Sequence, residues 1–585
     1  MSSVNNSIQA INKDLIDLLD KKKYQVDPFQ REYKWETEHI EELLVDLERA
    51  FMANFDVEHN VTDATNYSIY YMGPIVLYEK DGINHIIDGQ QRLTSLTLLL
   101  IFLNNLQRNV LDKDDWVDFD TLIISKVLLE KTFNLEIPER SNVLKKLYTG
   151  KFDFVEADYA NNDSCRNIIE RYNDIESLFP PRLAHMDVLP LFIYWLQHKL
   201  TFTEIKAFKD ENAYTIFETM NDRGLQLTPT EMLKSYLLMK VGDNEKISEL
   251  DTLWKNKVVE LRKLDRVEED SNFFKAWLRA KYAKSQEKKD NDFDRIGNRF
   301  HYWIKENDKL LGLTQPDDFY FFVLTDFQFY VNLYLKIRNY QLGTTTPEHR
   351  LKLSYFKGVS SSLAIPIILS SITVADDADT INEKIESLSN YNDVFAIYRL
   401  ILNESITQSS IDYTSYNLVL ELRNKNLSEV KTLTKSRILE LVSRFKKIDY
   451  LPFDKGYAKY LLSRIYKEYN EGVPFEDIYF QRKKESLVLY QFFKDSELDP
   501  IIRNMPTKLK DLFTDNLVSY CLVPKTHTAN YDKDNLGDRI KLLIRNGYMP
   551  EIINGGLSFN PASVQDFLIA RNKLLKENVL KIWNV

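Results

Sequence analysis

Hydrophobic residues recur at helical spacing along most of the chain. A first predicted helix, residues 7–20, has on one side the apolar residues Ile8, Ile11, Leu15, Ile16 and Leu19. A second carries its apolar residues between Ile40 and Phe51, and a third runs from Leu93 to Leu106. From about residue 110 onward helices dominate, and residues 245–400 are predicted to be helical. The pattern therefore predicts a mostly helical chain.

A smaller part of the pattern is typical of strands. Tyr24–Val26 is a short strand candidate, and Tyr70–Tyr78 and Ile83–Ile87 are predicted to be two strands. Asp81-Gly82 stands between these two strands and is a hairpin signal. The first hundred residues are thus predicted to form a mixed α/β unit, and the whole chain belongs to the α+β class with helices in the majority.

Helix start and stop signals lie between residues 211 and 231. A helix predicted from Glu211 to Met220 stops at Asn221-Asp222-Arg223-Gly224, where Gly is the preferred stop residue. The next helix is predicted to begin with Thr228 as its N-cap, Pro229 at its first position and Glu231 three residues after the cap.

Composition limits the size and class of the domains. The chain has 585 residues, of which 44% are apolar, so about two to four domains can each bury a core. Gly (16) and Pro (17) are scarce, while Tyr and Phe number 33 each, which favours long helices with bulky packing. The predicted domains are residues 1–245, an α/β domain, residues 246–404, a helical region, and residues 405–585.

Charge and cysteine content favour a cytoplasmic protein that does not coat nucleic acid indiscriminately. The net charge is −10, which still permits a local basic groove. Cys165 and Cys521 stand far apart, so a reducing compartment is expected. Met1–Ala10 shows no signal-peptide pattern, and the longest apolar run, Leu96–Leu103, is too short to cross a membrane. The eight histidines do not stand at metal-ligand spacing.

The most informative polar cluster follows the second strand of the predicted hairpin. Asp88, Gly89, Gln90, Gln91 and Arg92 stand between an apolar strand and a leucine-rich helix. The first turn of a helix presents unpaired N–H groups and the positive end of its dipole, which together suit a phosphate. Arg92 can add a forked, charged donor. A tight turn with a satisfied amide network explains the same residues equally well.

Two further clusters are weaker when each is taken alone. Gln30 and Arg31 lie in a predicted loop with Tyr33 and Trp35, where an Arg beside aromatic rings could hold a base and a phosphate. A surface turn anchored by Trp35 is the simpler interpretation. Likewise Arg223, at the exit of the helix predicted to end at Met220, is also explained as a solvated side chain beside a Gly-terminated helix.

Taken together and in this order, four stretches resemble a known family. They are Phe29-Gln30-Arg31-Glu32-Tyr33-Lys34-Trp35, Tyr71-Met72-Gly73-Pro74-Ile75-Val76-Leu77, Ile87-Asp88-Gly89-Gln90-Gln91-Arg92-Leu93-Thr94 and Phe217–Thr228 with its Asn221-Asp222-Arg223-Gly224. They resemble the N-terminal domain of GmrSD-type restriction endonucleases, over roughly residues 8–245. The resemblance implies a fold related to the nucleotide-binding fold of ParB and sulfiredoxin. It also implies binding and hydrolysis of a nucleoside triphosphate, in bacterial defence against phage DNA that is often modified.

Carried over residue by residue, the resemblance implies a site for ATP or GTP. Asp88, Gln90, Gln91 and Arg92 would line the triphosphate and form the catalytic set, with Gly89 at the turn between them. Gln30 and Arg31 would contribute from the facing loop, and Asn221 and Arg223 would complete the pocket. Phosphoryl transfer needs charge neutralisation and an oriented water, which Arg and a Gln or Asp can supply. Asp88 is also a plausible Mg²⁺ ligand.

The C-terminal part resembles an HNH nuclease domain only incompletely. Asn516 falls in the family's Asn-Leu strand, Asp515–Pro524, and Asn530 falls where a following Asn is expected. The His-Ile-x-Pro stretch that should precede them is missing, and Leu487–Phe492, where it should lie, offers neither His nor acid. His527 is the one His nearby and could be a displaced general base, although a loop His is more often unremarkable. A ββα-containing domain with lost or altered cleavage chemistry is expected.

Two functions follow as expectations. The first is an NTP-hydrolysing restriction factor that controls cleavage of DNA, modified or not, by its own C-terminal domain or by a partner nuclease. The second is a non-catalytic, nucleotide-gated module that binds DNA, a phage component or a partner subunit, with homo-oligomers possible. A DNA-binding face could be lined by the basic residues Arg539, Lys541, Arg545, Arg571, Lys573 and Lys576, unless these residues only cover solvated helix faces.

Overall fold

The chain divides into two compact units, Met1–Asp251 and Thr252–Val585. The computed structural model describes residues 9–26, 32–80, 83–127, 130–137, 140–154, 163–207, 228–264, 268–284, 291–342, 359–473, 475–480, 486–493, 496–497, 503, 516–532, 534–560 and 563–583.

The first unit is built on a six-stranded mixed sheet with the strand order β1-β8-β3-β4-β2-β7. Its strands are β1 Gln9–Asp14, β2 Tyr24–Gln25, β3 Tyr70–Lys80, β4 Ile83–Asp88, β7 Leu135–Glu136 and β8 Leu200–Ala207. A separate two-stranded ribbon pairs β5 Ile124–Val127 with β6 Glu130–Phe133. β3 pairs antiparallel with β4 and parallel with β8, so β3 lies near the middle of the sheet.

Helices pack on this sheet and supply most of its core. They are α1 Leu15–Leu19, α2 Thr37–Met52, α3 Val61–Ala64, α4 Gln90–Val110, α5 Asp120–Ile123, α6 Ser141–Tyr148, α7 Asp163–Leu178, α8 Leu189–Lys199 and α9 Pro229–Met239. The leucine-rich α4 is buried from Leu93 to Asn104 without interruption. A helix that is apolar all round must lie inside its domain, so α4 is the central helix of this unit.

Most of the predicted elements of the first unit are confirmed. The hairpin strands, the short strand at Tyr24 and the helices at Ile40 and Leu93 occur where the pattern predicts them. Thr228 caps α9 with the expected capping box, in which its side chain accepts from the N–H of Glu231. The helix predicted for Glu211–Met220 and the turn at Asn221–Gly224 lie outside the described residues.

The helix predicted for residues 7–20 is wrong over its first half. Gln9–Asp14 forms β1, which pairs antiparallel with β8, and only Leu15–Leu19 is helical. Glu204 of β8 is 4% exposed and pairs with Lys13 Nζ at 2.7 Å. Because a buried carboxylate needs a partner charge, this pair fixes Lys13 opposite β8. The strand pairing therefore overrides the local helical spacing.

The second unit is almost entirely helical. Its helices are the end of α10 Asn244–Arg262, then α11 Glu269–Lys281, α12 Asp292–Glu306, α13 Pro316–Phe321, α14 Gln328–Leu342, α15 Ser361–Ser370, α16 Ala378–Ile401, α17 Gln408–Leu422, α18 Leu427–Phe445, α19 Lys455–Tyr469, α20 Phe475–Tyr479, α21 Thr528–Tyr531, α22 Leu536–Arg545, α23 Pro550–Asn554 and α24 Val564–Ile582. A π-helical turn, Phe322–Phe327, joins α13 to α14. The expected α+β class with a helical majority is confirmed.

Two lysines of this unit donate hydrogen bonds to backbone carbonyls at the end of α15. Lys281, the last residue of α11, donates to the carbonyls of Ser370 and Ile372 at 2.9 and 3.0 Å. Lys384 of α16 donates to Ser371 O at 2.8 Å and pairs with Asp376. The last carbonyls of a helix carry its negative dipole end, so buried ammonium groups stabilise the end of α15. Burial lowers the pKa of Lys281 to about 8.

Two antiparallel strands lie near the C-terminus, β9 Leu487–Gln491 and β10 Tyr520–Pro524, and the short helix α21 follows them. The HNH-like ββα fold expected for this region and the ParB-like fold expected for the first domain both stay predictions. Both cysteines, Cys165 and Cys521, are buried. In the described parts of the chain, every helix is too short or too polar to cross a membrane.

Candidate functional site

The first turn of α4 is open at its N-terminal end. Gly89 caps the helix with a φ of +98°, and the first intrahelical bond runs from Leu93 N to Gly89 O at 3.0 Å. The N–H groups of the first three helical residues therefore have no acceptor within the helix. A Cβ on Gly89 would lie 3.0 Å from Ile75 Cγ1, so close packing as well as backbone conformation demands glycine here.

Arg92 reaches across this turn to the neighbouring strand. Its Nη1 donates to Pro74 O at 2.5 Å, and its Nη2 pairs with Asp88 Oδ2 at 3.2 Å. Gly73 makes room for the guanidinium, because a Cβ there would lie 2.6 Å from Arg92 Nη1. The Arg92 and Asp88 side chains are 22% and 38% exposed, so solvent reaches this ion pair. Arg92 is neither locked in the interior nor free of a partner.

Gln90 presents a buried amide to the same region. The residue is 5% exposed, and its Nε2 finds no hydrogen-bond partner among the residues that the structure describes. One turn further along α4, Thr94 is 1% exposed, and its Oγ1 likewise lacks a partner within the described chain. Buried polar atoms without partners cost free energy and call for an explanation, of which a ligand is one.

Gln91 points to a loop that precedes α2. Its Oε1 accepts from Lys34 N at 2.8 Å, and its Nε2 donates to Glu32 O at 3.0 Å. Both ends of the carboxamide are thus occupied by backbone groups. Gln91 therefore agrees with the interpretation of this stretch as a tight turn whose amide groups are satisfied within the protein. Gln90 does not agree with it.

The loop at residues 32–36 is held rigidly by side chains from two helices. Tyr33 is fully buried, and its hydroxyl lies 2.8 Å from Ser95 Oγ of α4. From α7, Asn167 Nδ2 donates to Tyr33 O at 2.7 Å, and Arg171 Nη1 donates to Trp35 O at 3.0 Å. Burial raises the pKa of the Tyr33 hydroxyl. In the described part of this loop Tyr33 is the most buried side chain, and Trp35 is partly buried; the turn at Gln30 and Arg31 lies outside the described residues.

The structure brings the quoted stretches together as far as it describes them. Gly73 and Pro74 lie against Arg92, the segment after Arg31 lies against Gln91, and Lys34 Nζ pairs with Glu231 Oε1 of α9 at 2.8 Å. Gln30, Arg31, Asn221 and Arg223 lie outside the described residues, so their predicted roles stay predictions. The same holds for the triphosphate-lining roles of Asp88, Gln90, Gln91 and Arg92.

Sequence reasoning missed several residues that shape this region. Gly73, Pro74 and Lys34 lie within the four stretches, and Glu231 follows the last of them. Their spacing in the sequence did not predict that Gly73 and Pro74 contact Arg92 or that Lys34 pairs with Glu231. Strand β8, which flanks β3, was also missed. Its alternation of threonines with buried Phe202 and Glu204 is a period-2 signal that could have revealed it.

The structure shows the surroundings of the residues predicted to be nuclease remnants, whose role stays a prediction. Asn516 is fully buried and caps a short turn, with its Oδ1 accepting from Val518 N at 3.1 Å. His527 and Asn530 are exposed, and His527 Nδ1 lies 3.4 Å from Tyr548 OH. The described residues contain no group of three or more His, Cys, Asp or Glu side chains that could hold a metal ion.

The basic face proposed for the C-terminal helices needs correction. Arg539 and Arg571 are both fully buried rather than at a surface. Arg539 pairs with Glu497 at 2.8 Å, and Arg571 pairs with Glu551 at 2.8 Å. Both guanidinium groups also donate to backbone carbonyls, including Phe492 O and Tyr520 O. These two arginines hold the core around β9 and β10 together and are not available for DNA phosphates.

Comparison with known families places the first unit. Residues 15–238 match the family model described as GmrSD restriction endonuclease, N-terminal domain. No curated protein matches the chain. The match covers α1 through α9 and contains the whole region around the first turn of α4. The chain therefore carries, over residues 15–238, the N-terminal domain of the GmrSD-type restriction endonuclease family.

Proposed function

We propose that the first unit binds a nucleoside triphosphate at the first turn of α4 and hydrolyses it, and that this hydrolysis controls a restriction-type response to phage DNA. The family supports the defence role. The observation that carries the nucleotide proposal combines three features of the described residues: a helix N-terminus whose first three N–H groups have no acceptor within the helix, the solvent-accessible Arg92, and a buried Gln90 Nε2 without a partner in the described part of the chain. Helix N-termini with a nearby arginine are suited to phosphate groups.

The residues present fit a triphosphate with a divalent cation. Arg92 can exchange its contact with Asp88 for a phosphate oxygen, because both side chains reach solvent and the pair is not desolvated. Asp88 would then be available as a carboxylate ligand of Mg²⁺, which commonly uses one or two carboxylates together with phosphate oxygens. When bound, the metal would neutralise charge that develops on the phosphates. Gln90 would orient a phosphate oxygen or the attacking water through its N–H₂ group, which has no partner among the described residues.

Substitution of Arg92 tests this proposal. Arg92→Ala is expected to weaken nucleotide binding and turnover about 10- to 100-fold, because a hydrogen bond to a charged group contributes about 1.5–3 kcal/mol. The measurement is phosphate release from a panel of ATP, GTP, CTP and UTP, read together with strand breaks in unmodified and modified phage DNA.

Arg108→Ala is the matched control. Arg108 is on the last turn of the same helix and pairs loosely with Asp120 at 3.7 Å. It stands about 24 Å from Arg92 along the helix axis. This variant should retain normal nucleotide turnover. Equal turnover in Arg92→Ala and in the unchanged protein would refute the proposal, as would a protein that binds none of the four nucleotides.

A second candidate function is a nucleotide-gated module that binds DNA or a partner subunit without cutting DNA itself. It is favoured by the C-terminal geometry, in which Asn516 is a buried cap and His527 is an exposed side chain beside Tyr548. A general base needs hydrogen-bond reach to a water that a metal also holds. In the assay above, this function gives nucleotide binding with no metal-dependent strand breaks, whereas breaks lost in His527→Ala would exclude it.

A further inference from the structure

The carboxamide of Gln91 takes the place of a neighbouring strand. It accepts from the N–H of Lys34 and donates to the C=O of Glu32, two backbone groups that a paired strand would otherwise satisfy. Among side chains of this length only a carboxamide supplies both an acceptor and a donor. Glutamate lacks the donor, methionine lacks both groups, and asparagine is one methylene shorter.

A second tie runs from the same segment to α9. Lys34 Nζ pairs with Glu231 Oε1 at 2.8 Å, while Glu231 Oε2 accepts from Thr228 N at 2.9 Å in the capping box. The Lys34 side chain is 40% exposed, so this ion pair alone contributes little. The Gln91 clamp is the stronger of the two ties, because it satisfies two backbone groups in a half-buried position.

The clamp turns the Gln91 carboxamide toward the loop, where Oε1 and one of the two amide hydrogens are used. The backbone carbonyl of Gln91 accepts from Ser95 Oγ at 3.0 Å. Its neighbour Gln90 shows the opposite arrangement, with a buried Nε2 that has no partner in the described part of the chain. The two adjacent glutamines therefore differ in their hydrogen bonds: the Gln91 carboxamide binds the loop backbone, and the Gln90 Nε2 does not bind any described residue.

We infer that the side chain of Gln91 positions the nucleotide site: it fixes the segment that follows Gln30-Arg31 and contacts no nucleotide atom, whereas the backbone N–H of Gln91 remains one of the donors at the start of α4. This inference rests on the proposed nucleotide function. It divides the side chains of the paired glutamines into one that acts on the ligand, Gln90, and one that acts on the protein, Gln91. The effect of the Gln91 side chain on nucleotide affinity is then exerted only through Gln30 and Arg31.

A double-mutant cycle tests this inference. Dissociation constants for a non-hydrolysable ATP or GTP analogue are measured for the unchanged protein, for Gln91→Met, for the loop variant Gln30→Ala/Arg31→Ala, and for the combination. Gln91→Met and the loop variant are each expected to weaken binding about 10-fold or more. Gln91→Met is expected to cost nothing further in the loop variant, since coupled residues are not additive. Multiplied effects in the combination would overturn the inference, as would a loop variant that binds normally while Gln91→Met does not.

The chain offers a matched control on the same helix. Gln107 makes an equivalent clamp, with its Oε1 accepting from Val117 N at 3.0 Å and its Nε2 donating to Val117 O at 3.1 Å. Gln107→Met removes that clamp at the far end of α4 and should lower stability without changing nucleotide affinity. If Gln107→Met weakened binding as much as Gln91→Met does, the effect of Gln91 would be general destabilisation, and the inference would be wrong.

Hydrogen exchange separates a failure of the inference from a failure of the proposed function. The N–H of Lys34 donates to Gln91 and should exchange faster in Gln91→Met than in the unchanged protein, with or without nucleotide. Unchanged exchange overturns the clamp itself. If the unchanged protein binds no nucleotide, the proposed function fails, whatever the exchange shows. Should Gln91→Met unfold, Gln91→Glu keeps the acceptor half of the clamp, and the same cycle is read with it.

Discussion

Arg92 occupies a space that a glycine leaves open. The backbone φ angle of Gly73 is +113°, and any side chain at this position would collide with the guanidinium of Arg92. The direction of the Arg92 side chain thus depends on a residue 19 positions earlier, on strand β3. At this scale the site consists of one charged side chain and the small residues that let it reach Pro74 O.

Gly73→Ala should impair nucleotide binding without removing any polar group. The new methyl group displaces Arg92 from Pro74 O, and we expect affinity to fall about 10-fold, approaching the loss in Arg92→Ala. Stability should also fall by about 1–3 kcal/mol, because alanine is strained at this positive φ. The measurements are nucleotide titration and urea unfolding of the same preparation.

Gly150→Ala separates strain from crowding in that experiment. Gly150 also has a positive φ, +67°, but a Cβ there meets nothing within 4 Å. It should therefore lose stability alone and keep full nucleotide affinity. A Gly73→Ala protein with unaltered affinity would show that the position of Arg92 does not matter for binding.

At the scale of elements, α4 holds connecting segments of the first unit in place through side chains near both of its ends. Its first turn faces the proposed ligand, its Gln91 and Ser95 hold the loop at residues 32–34, and its Gln107 holds the segment at Val117. One buried helix thus fixes the connections at both of its ends. This explains how polar side chains can recur on a helix that otherwise belongs to the core.

Helix α12 of the second unit contains a buried histidine, His301. Helix α12 is kinked at Arg299, which has a φ of −146° and a ψ of 57°, and His301 follows two residues later. His301 is 8% exposed, and its ring lies 4.3 Å from the ring of Tyr302. Burial, with a smaller contribution from the charge of Arg299, lowers the pKa of His301 from 6.5 to about 4.

Stability of the second unit should depend on His301 between pH 4 and 6.5. In this range the unfolded chain binds a proton that folded His301 does not, so the free energy of unfolding rises with pH and is lost as pH falls. The difference is up to about 3 kcal/mol across the range. Urea unfolding at several pH values, compared between the unchanged protein and His301→Phe, measures it. The exposed His527, changed to Phe, is the control and should leave the pH dependence as it was; an equal dependence in His301→Phe would contradict the prediction.

At the scale of the whole molecule, the second unit is held by contacts between distant parts of the chain. Asp393 of α16 is fully buried and accepts from Tyr460 OH and from Trp583 Nε1, both at 2.9 Å. Arg464 pairs with the same carboxylate at 3.4 Å and lies over the ring of Trp583 at 5.4 Å. These contacts cross the predicted boundary at residue 404. Whether residues 405–585 fold alone stays a prediction.

Asp393→Ala should destabilise the second unit by about 3–5 kcal/mol, because it leaves the mostly buried Arg464 without its charge partner. Urea unfolding of the full chain, followed by tryptophan fluorescence, measures the shift. Asp379→Ala, at an exposed position in the first turn of the same helix, should stay within about 1 kcal/mol of the unchanged protein. Similar losses in both variants would mean that the Asp393 network contributes no more than a surface charge.

Local signals in the sequence were sufficient for several parts of this protein. Three features depend only on a few residues that are adjacent in the sequence. They are the β3–β4 hairpin, the start of α9 at Thr228 and the strand-to-helix turn at Gly89. The same is true of the polar stretches that indicate the family. The sequence by itself therefore determined the helical majority, the candidate site at Asp88–Arg92 and the family of the first domain.

Only the tertiary structure decided what depends on partners far away in the chain. Residues 9–14 became a strand because Lys13 meets Glu204, 191 residues later, and Arg539 and Arg571 became core residues because Glu497 and Glu551 are folded against them. The two glutamines of the site are adjacent in the sequence but differ in their contacts: backbone groups of Glu32 and Lys34 bind the Gln91 carboxamide, whereas the Nε2 of Gln90 has no partner in the described part of the chain. Local spacing records the conformation that a segment prefers, while burial and pairing energies, which depend on distant partners, decide the conformation that it adopts.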